Sequence, residues 1–119
     1  MSARILVVDD NRDLAENLVE VLLDAGFDAE CFDDPSIALR AIAPGRYELA
    51  LIDLRMPGMD GVELHRALKE VDPRLRAIAM TAFALDERVR CALHDGMLDV
   101  VSKPMDPAAL LERLRNAIA

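Results

Sequence analysis

The sequence predicts an α/β domain of the doubly wound kind, a parallel sheet with helices on both faces. Three observations carry that expectation. Short apolar runs recur without polar alternation, which marks strands covered on both sides. Apolar residues at helical spacing fill the gaps between them. Strand and helix alternate five times in 119 residues, with no internal repeat, low-complexity segment or linker.

The first run, Ile5-Leu6-Val7-Val8, ends at Asp9 and Asp10. Leu14, Leu18, Val21, Leu22 and Ala25 then lie on one helical face, and Gly26 stops the helix as its C′ residue. From Gly26 to Asp33, Phe27, Ala29 and Cys31 alternate with Asp28 and Glu30, the pattern of a half-exposed strand at a sheet edge. Residues 36–43 make a shorter helix, ended by Pro44-Gly45. Leu49-Ala50-Leu51-Ile52 is the third strand and runs into Asp53. Leu64, Leu68 and Val71 define the third helix, closed by Asp72-Pro73. Ala77-Ile78-Ala79-Met80 is the fourth strand, ended by Thr81. A weaker helix spans residues 86–94, with Val89 and Leu93 inward and Gly96 just after it. Residues 98–101 form the fifth strand, followed by Ser102-Lys103-Pro104. Asp106 caps the last helix, Pro107 occupies its first turn, and Leu110, Leu111, Leu114 and Ile118 form its stripe.

Composition narrows the function classes. Hydrophobic residues at 53% supply a core, and the length suits one domain, residues 1–119. A formal net charge of -8 argues against direct nucleic-acid binding by this domain and against anionic lipid, because phosphates repel such a surface. No apolar run approaches the roughly 20 residues of a membrane span. Nor is there a signal-peptide pattern. Cys31 and Cys91 stand far apart without a CxxC or Cys/His cluster and are read as reduced, which fits a cytoplasmic compartment. His65 and His94 lie on helices away from any nucleophile or metal spacing, and no GxGxxG or GxxxxGK follows the first strand.

In open α/β sheets ligands sit beyond the carboxyl ends of the strands. The residues that end these strands are Asp9-Asp10, Asp53, Thr81 and Ser102-Lys103-Pro104. Singly each has a structural explanation: Asp9, Asp10 and Asn11 as helix caps, Asp53 in the turn at Met56-Pro57-Gly58, Thr81 as a strand-end hydroxyl, Lys103 as a solvated lysine. Together those explanations fail. Carboxylates about 6 Å apart repel by roughly 3 kcal/mol per pair at an effective dielectric near 20. One lysine cannot neutralise three of them. Either a proton is taken up or a cation is bound, and a shallow all-oxygen site suits Mg²⁺. A metal and an ammonium beside a carboxylate would neutralise an incoming phosphoryl group while the carboxylate attacks phosphorus. Asp53, alone at the end of the central strand, is the expected nucleophile, with Asp9 and Asp10 left for the metal.

Asp9-Asp10, the stretch Asp53-Leu54-Arg55-Met56-Pro57-Gly58-Met59-Asp60-Gly61, Thr81-Ala82 and Lys103-Pro104 together resemble the receiver domain of two-component response regulators, over essentially the whole chain. The resemblance implies a flavodoxin-like fold with five parallel strands in the order 2-1-3-4-5. It implies that Asp53 is the phosphoacceptor, served by a histidine kinase or a histidine phosphotransfer protein. Asp10, Asp53 and the backbone carbonyl of Arg55 would ligate Mg²⁺, with Asp9 acting through water. Lys103 would pair with Asp53 and then with the phosphoryl group, Thr81 would hydrogen-bond it, and Lys103-Pro104 would be cis, an isomer only X-Pro bonds adopt cheaply. Phosphorylation would draw in the Thr81-Ala82 loop and repack the surface of helix four, strand five and helix five.

One position departs from the family, which usually carries Tyr or Phe three residues before the lysine. Here it is Val100, so the usual rotamer relay is in question, and Phe83 is the nearest aromatic that could respond instead. Arg55 and Phe83 flank the site where the family tunes phosphoryl lifetime. Two alternatives are an unphosphorylated interaction module of the same fold and a small Mg-dependent aspartyl phosphatase of the haloacid-dehalogenase type. The latter needs D-x-D after its first strand, whereas Asp9 and Asp10 are adjacent. As a receiver the chain is expected to be no enzyme beyond slow self-phosphorylation from acyl phosphates and autodephosphorylation. The Met1-Ser2 start is read as a natural one, favouring an N-terminal or stand-alone receiver whose target is a downstream effector protein or a fused output domain.

Overall fold

Alternate side chains of the central strands enter two different cores. Ile5, Val7, Leu49, Leu51, Ile78 and Met80 pack on one side, and Leu6, Val8, Ala50, Ile52, Ala77 and Ala79 on the other. This is why the runs are apolar at every position: each pleat faces a layer of helices. The structure, a computed structural model, describes residues 3–83 and 85–119, so Met1 and Ser2, read above as the chain start, lie outside the described residues.

The elements are β1 (Arg4–Val8), α1 (Arg12–Asp24), β2 (Asp28–Phe32), α2 (Pro35–Ala41), β3 (Leu49–Asp53), α3 (Gly61–Val71), β4 (Arg76–Thr81), α4 (Glu87–His94), β5 (Asp99–Ser102) and α5 (Pro107–Ile118). The five strands are parallel, in the order β2-β1-β3-β4-β5. α1 and α5 close one core through Leu18, Leu22, Leu110 and Leu114. The other is closed by α2, α3 and α4 through Ala38, Val62, Leu64, Leu68 and Ala92. From β1 the chain crosses outward to β2 and then returns past β1 to β3. The order therefore reverses between β1 and β3, and the crevice at that reversal opens beyond Val8 and Asp53.

The caps are made by particular residues. Asn11 accepts the Leu14 N–H, which leaves Asp9 and Asp10 out of capping α1. Asp34, Asp60 and Asp86 cap α2, α3 and α4 through their side chains. Asp106 holds the N-cap position of α5 but makes no side-chain capping bond, and Pro107 sits in the first turn.

Some sequence expectations shift. Leu93 is 49% exposed, because α4 faces the core through Val89 and Ala92, and Leu93 is rotated one residue beyond them. Val71 is 40% exposed at the end of α3, where Leu75 from the following turn closes the core instead. α2 runs from Pro35 to Ala41, and β5 begins at Asp99, one residue after the expected Leu98. Cys31 on β2 is half-buried, Cys91 on α4 is exposed, and both are free thiols. No helix among the described residues is long and apolar enough to cross a membrane.

Candidate functional site

Three carboxylates meet at the crevice between β1 and β3. One oxygen from each of Asp9, Asp10 and Asp53 lies within 4.8 Å of the others. Asp9 follows β1 directly and is fully buried. Its backbone N–H extends the ladder to Phe32 O at 3.2 Å, and its Oδ1 accepts the Asn11 N–H at 2.9 Å. That turn aims Oδ2 across the crevice. Asp53 ends β3 and is 5% exposed, with Oδ1 accepting the Arg55 N–H at 3.3 Å. Asp10 is exposed at the rim.

Lys103 supplies the only ammonium in this group. Its Nζ stands 2.7 Å from Asp9 Oδ2 and 3.3 Å from Asp53 Oδ2. The backbone holds it there: the Lys103 N–H donates to Thr81 O at 2.7 Å, and the Lys103-Pro104 peptide is cis.

The electrostatics follow from this crowding. Burial, then the charge of Asp9, push the Asp53 carboxyl up to about 6, and Lys103 with the Arg55 N–H only partly offset them. Burial works against the Lys103 ammonium too, yet its ion pairs with Asp9 and Asp53 outweigh that and raise its pKa. Two of the three negative charges remain uncompensated. Asp9 Oδ2, though buried and ion-paired, receives no well-directed hydrogen bond. A shallow cleft beside Asp10 is lined by Asp33 and Asp34, which adds two more acids. Hard oxygen donors, an under-satisfied buried carboxylate oxygen and excess negative charge fit a small divalent cation. The same arrangement presents a desolvated carboxylate next to a fixed positive charge, which equips it to attack an electrophilic anion.

The other sequence-selected residues surround this centre. Thr81 is buried, but its hydroxyl is engaged in its own turn: it donates to Phe83 O at 3.1 Å and accepts the Phe83 N–H at 3.0 Å. Ala82 and Phe83 are exposed, and Val100 is half-buried against the core shared by α2, α3 and α4. The Arg55 side chain turns away from Asp53. Its Nε lies 2.5 Å from Asp86 Oδ2, and its guanidinium stands 5.9 Å from the centroid of the Phe83 ring.

Two contributions escape the sequence. A Cβ at Gly61 would collide with the Asp53 carbonyl, so glycine lets the start of α3 press on the end of β3, with Gly61 N–H donating to Leu54 O at 3.0 Å. The available signal was a glycine at a first helical position just after a strong cap, Asp60. The second is the pair of ion pairs Arg55–Asp86 and Arg88–Asp60, joined through the neighbours Asp86 and Arg88, whose partners lie 31 and 28 residues apart and carry no local signature.

Residues 5–115 match the family model for the response regulator receiver domain. MtrA of Mycolicibacterium smegmatis, named a DNA-binding response regulator, is 41% identical over 97% of this chain and 50% of its own length. A CheY-like receiver domain protein from Methanospirillum hungatei superposes with a TM-score of 0.92 at 28% identity, covering 99% of this chain and 94% of that one. The BeF3-activated receiver domain of DrrB from Thermotoga maritima gives 0.88 at 27% identity, covering 99% and 98%. The chain spans about half the length of the curated relatives it matches. These relatives correct the expected partner list, which set aside direct nucleic-acid binding by this domain: MtrA is named a DNA-binding response regulator. The exclusion rested on a net charge of -8 averaged over 119 residues, and that repulsion fades within about 10 Å at 0.1 M salt, so it does not extend to the other half of a longer protein.

Proposed function

The chain belongs to the response regulator receiver domain family of two-component systems, and from that premise we propose that Asp53 is the phosphoacceptor of a phosphorylation-activated switch. The observation that carries this is the gathering of Asp9, Asp10 and Asp53 within 4.8 Å around one ammonium, Lys103. In this reading residues 1–119 form one receiver domain, acting in the cytoplasm where Cys31 and Cys91 stay reduced.

A carboxylate oxygen of Asp53 attacks phosphorus on a phosphohistidine of a kinase or phosphotransfer protein. The P–N bond breaks, and the imidazole leaves with the electron pair and takes a proton from water. With acetyl phosphate a P–O bond breaks and acetate leaves instead. Lys103, kept protonated by its two acid partners, meets the phosphoryl oxygens as they approach. Thr81 gives up its bond to Phe83 O to donate to one of them. Asp10, Asp53 and the Arg55 carbonyl would hold Mg²⁺, with Asp9 acting through water. When bound, the ion neutralises the crowded acids and the phosphoryl oxygens. The product is an acyl phosphate that hydrolyses slowly, so the domain works as a timed switch whose own chemistry is self-phosphorylation and autodephosphorylation. Its signal is a shift in the surface of α4, β5 and α5. In a protein built like MtrA that surface would be read by a DNA-binding portion.

Incubation with Mg²⁺ and acetyl phosphate is expected to add one phosphoryl group to the intact protein, and Asp53→Asn to abolish it, as read by mass spectrometry. No labelling under conditions that label another receiver would favour a pure interaction module. Hydrolysis of many phosphate esters per minute would favour a phosphatase.

A further inference from the structure

We propose that the Arg55 side chain is the sensor of this switch: Asp86 and Phe83 hold its guanidinium at the start of α4 until a phosphoryl group on Asp53 competes it away. This rests on Asp53 being the phosphoacceptor, but it concerns the Arg55 side chain and not the backbone carbonyl placed at the metal.

Arg55 bridges two sites. Its backbone N–H donates to Asp53 Oδ1, while its side chain, 55% exposed, reaches Asp86 and covers the Phe83 ring. Asp86 is a good anchor, its carboxylate only 1% exposed. It caps α4 by accepting the Arg88 N–H at 3.0 Å, and Arg88 pairs with it at 3.6 Å and with Asp60 at 3.1 Å. Phe83 in turn holds the Thr81 hydroxyl through both of its backbone groups. One guanidinium therefore ties the segment after β3 to the first turn of α4 and to the residue that engages Thr81.

Phosphorylation alters the competition for that guanidinium. A carboxylate becomes a group with nearly twice the charge and three acceptor oxygens, to which arginine binds in a forked geometry. Asp86 offers a single carboxylate already shared with Arg88 and the helix cap. When Arg55 leaves, Phe83 loses its cation–π partner and the first turn of α4 is left with the Arg88–Asp60 tie to the start of α3. The freed Phe83 backbone lets the Thr81 hydroxyl turn toward the phosphoryl group. This route needs no aromatic ring at position 100, where the chain has Val100. It supplies the two discrete arrangements that coupling between the sites requires.

Hydrogen exchange of the Arg88 and Val89 amides, both bonded to Asp86, reads the state of the tie in the full chain. Acetyl phosphate with Mg²⁺ is expected to speed their exchange about two- to fivefold, the loss expected of one partly exposed ion pair. Asp86→Asn keeps a capping oxygen and removes the charge. It is expected to show the faster exchange before any phosphorylation, to take up the phosphoryl group as wild type does, and to change little further. Arg55→Met, tested without phosphate, is expected to give the same fast exchange. Labelling at Asp53 with no change at Arg88 and Val89, or an Asp86→Asn protein responding as fully as wild type, overturns the sensor and leaves the phosphoacceptor intact. Absence of labelling in wild type overturns both.

Discussion

Lys103 Nζ lies closer to Asp9 Oδ2, at 2.7 Å, than to Asp53 Oδ2, at 3.3 Å. The lysine therefore leans on the fully buried acid and leaves Asp53 under-compensated. With Asp9→Asn, the negative charge that adds to burial in raising the Asp53 carboxyl is gone, and Lys103 is free to move onto Asp53. The expected outcome is an Asp53 carboxyl that titrates lower than about 6, followed through its ¹³C shift. An unchanged midpoint would show that burial alone sets it.

The metal reading makes Asp10 and its neighbour Asn11 unequal. Asp10 belongs to the acid cluster, whereas Asn11 spends its side chain on capping α1. Asp10→Ala is expected to weaken Mg²⁺ binding about tenfold or more, equivalent to at least about 1.4 kcal/mol. Asn11→Ala should instead cost stability, about 1 kcal/mol for a lost cap, with Mg²⁺ affinity nearly unchanged. Titration calorimetry on both variants decides it, and equal losses of affinity would put the ion elsewhere.

Asp53 and His65 pull stability in opposite directions as pH changes. The folded chain holds the Asp53 proton more tightly than the unfolded one, because burial and Asp9 raise its carboxyl from 3.8 to about 6. That contribution is complete below about pH 4 and is lost as pH rises through about 6. His65 is 2% exposed with Nδ1 unpartnered, and burial first, then Lys69, hold its imidazole below 6.5. Its contribution is present above 6.5 and is lost as pH falls through the folded value. Urea unfolding in EDTA should therefore show Asp53→Asn removing the decline between about pH 4 and 6. His65→Leu should remove the part of the acid-side decline that begins below 6.5, leaving the later loss from Asp34, Asp86 and Asp95, whose carboxyls are held below 3.8 by their hydrogen bonds. A wild-type slope retained by either variant refutes the assignment for that residue.

The parts of the molecule that were legible in the sequence are those where one residue's chemistry settles its place. Leu49-Ala50-Leu51-Ile52 has no polar position, so it had to lie between two layers, and it is buried throughout. Asp9, Asp53, Thr81 and Lys103 each end or follow such a run, which places them on one rim once the strands are parallel. Val71 and Leu93 were misplaced because helical spacing identifies a stripe without saying where the sheet beneath it stops. Arg55–Asp86 and Arg88–Asp60 were invisible because long charged side chains choose partners by tertiary proximity.

Gly61 tests whether the site depends on the close approach of α3 to β3. At the first position of a helix, alanine is intrinsically better than glycine by up to about 1 kcal/mol. Here the added Cβ would meet the Asp53 carbonyl and Leu54 Cα, backbone atoms that cannot rotate aside. Overpacking against fixed atoms costs about 1–3 kcal/mol, so the clash should outweigh the propensity gain. Gly61→Ala is therefore expected to lower the urea midpoint. It should also slow labelling of Asp53 by acetyl phosphate, because the strain is relieved by moving the strand end that carries the carboxylate. A variant as stable as wild type but slow to label would mean that α3 yields without cost and that the approach serves the site alone. One that is more stable and labels normally would show that this contact positions nothing.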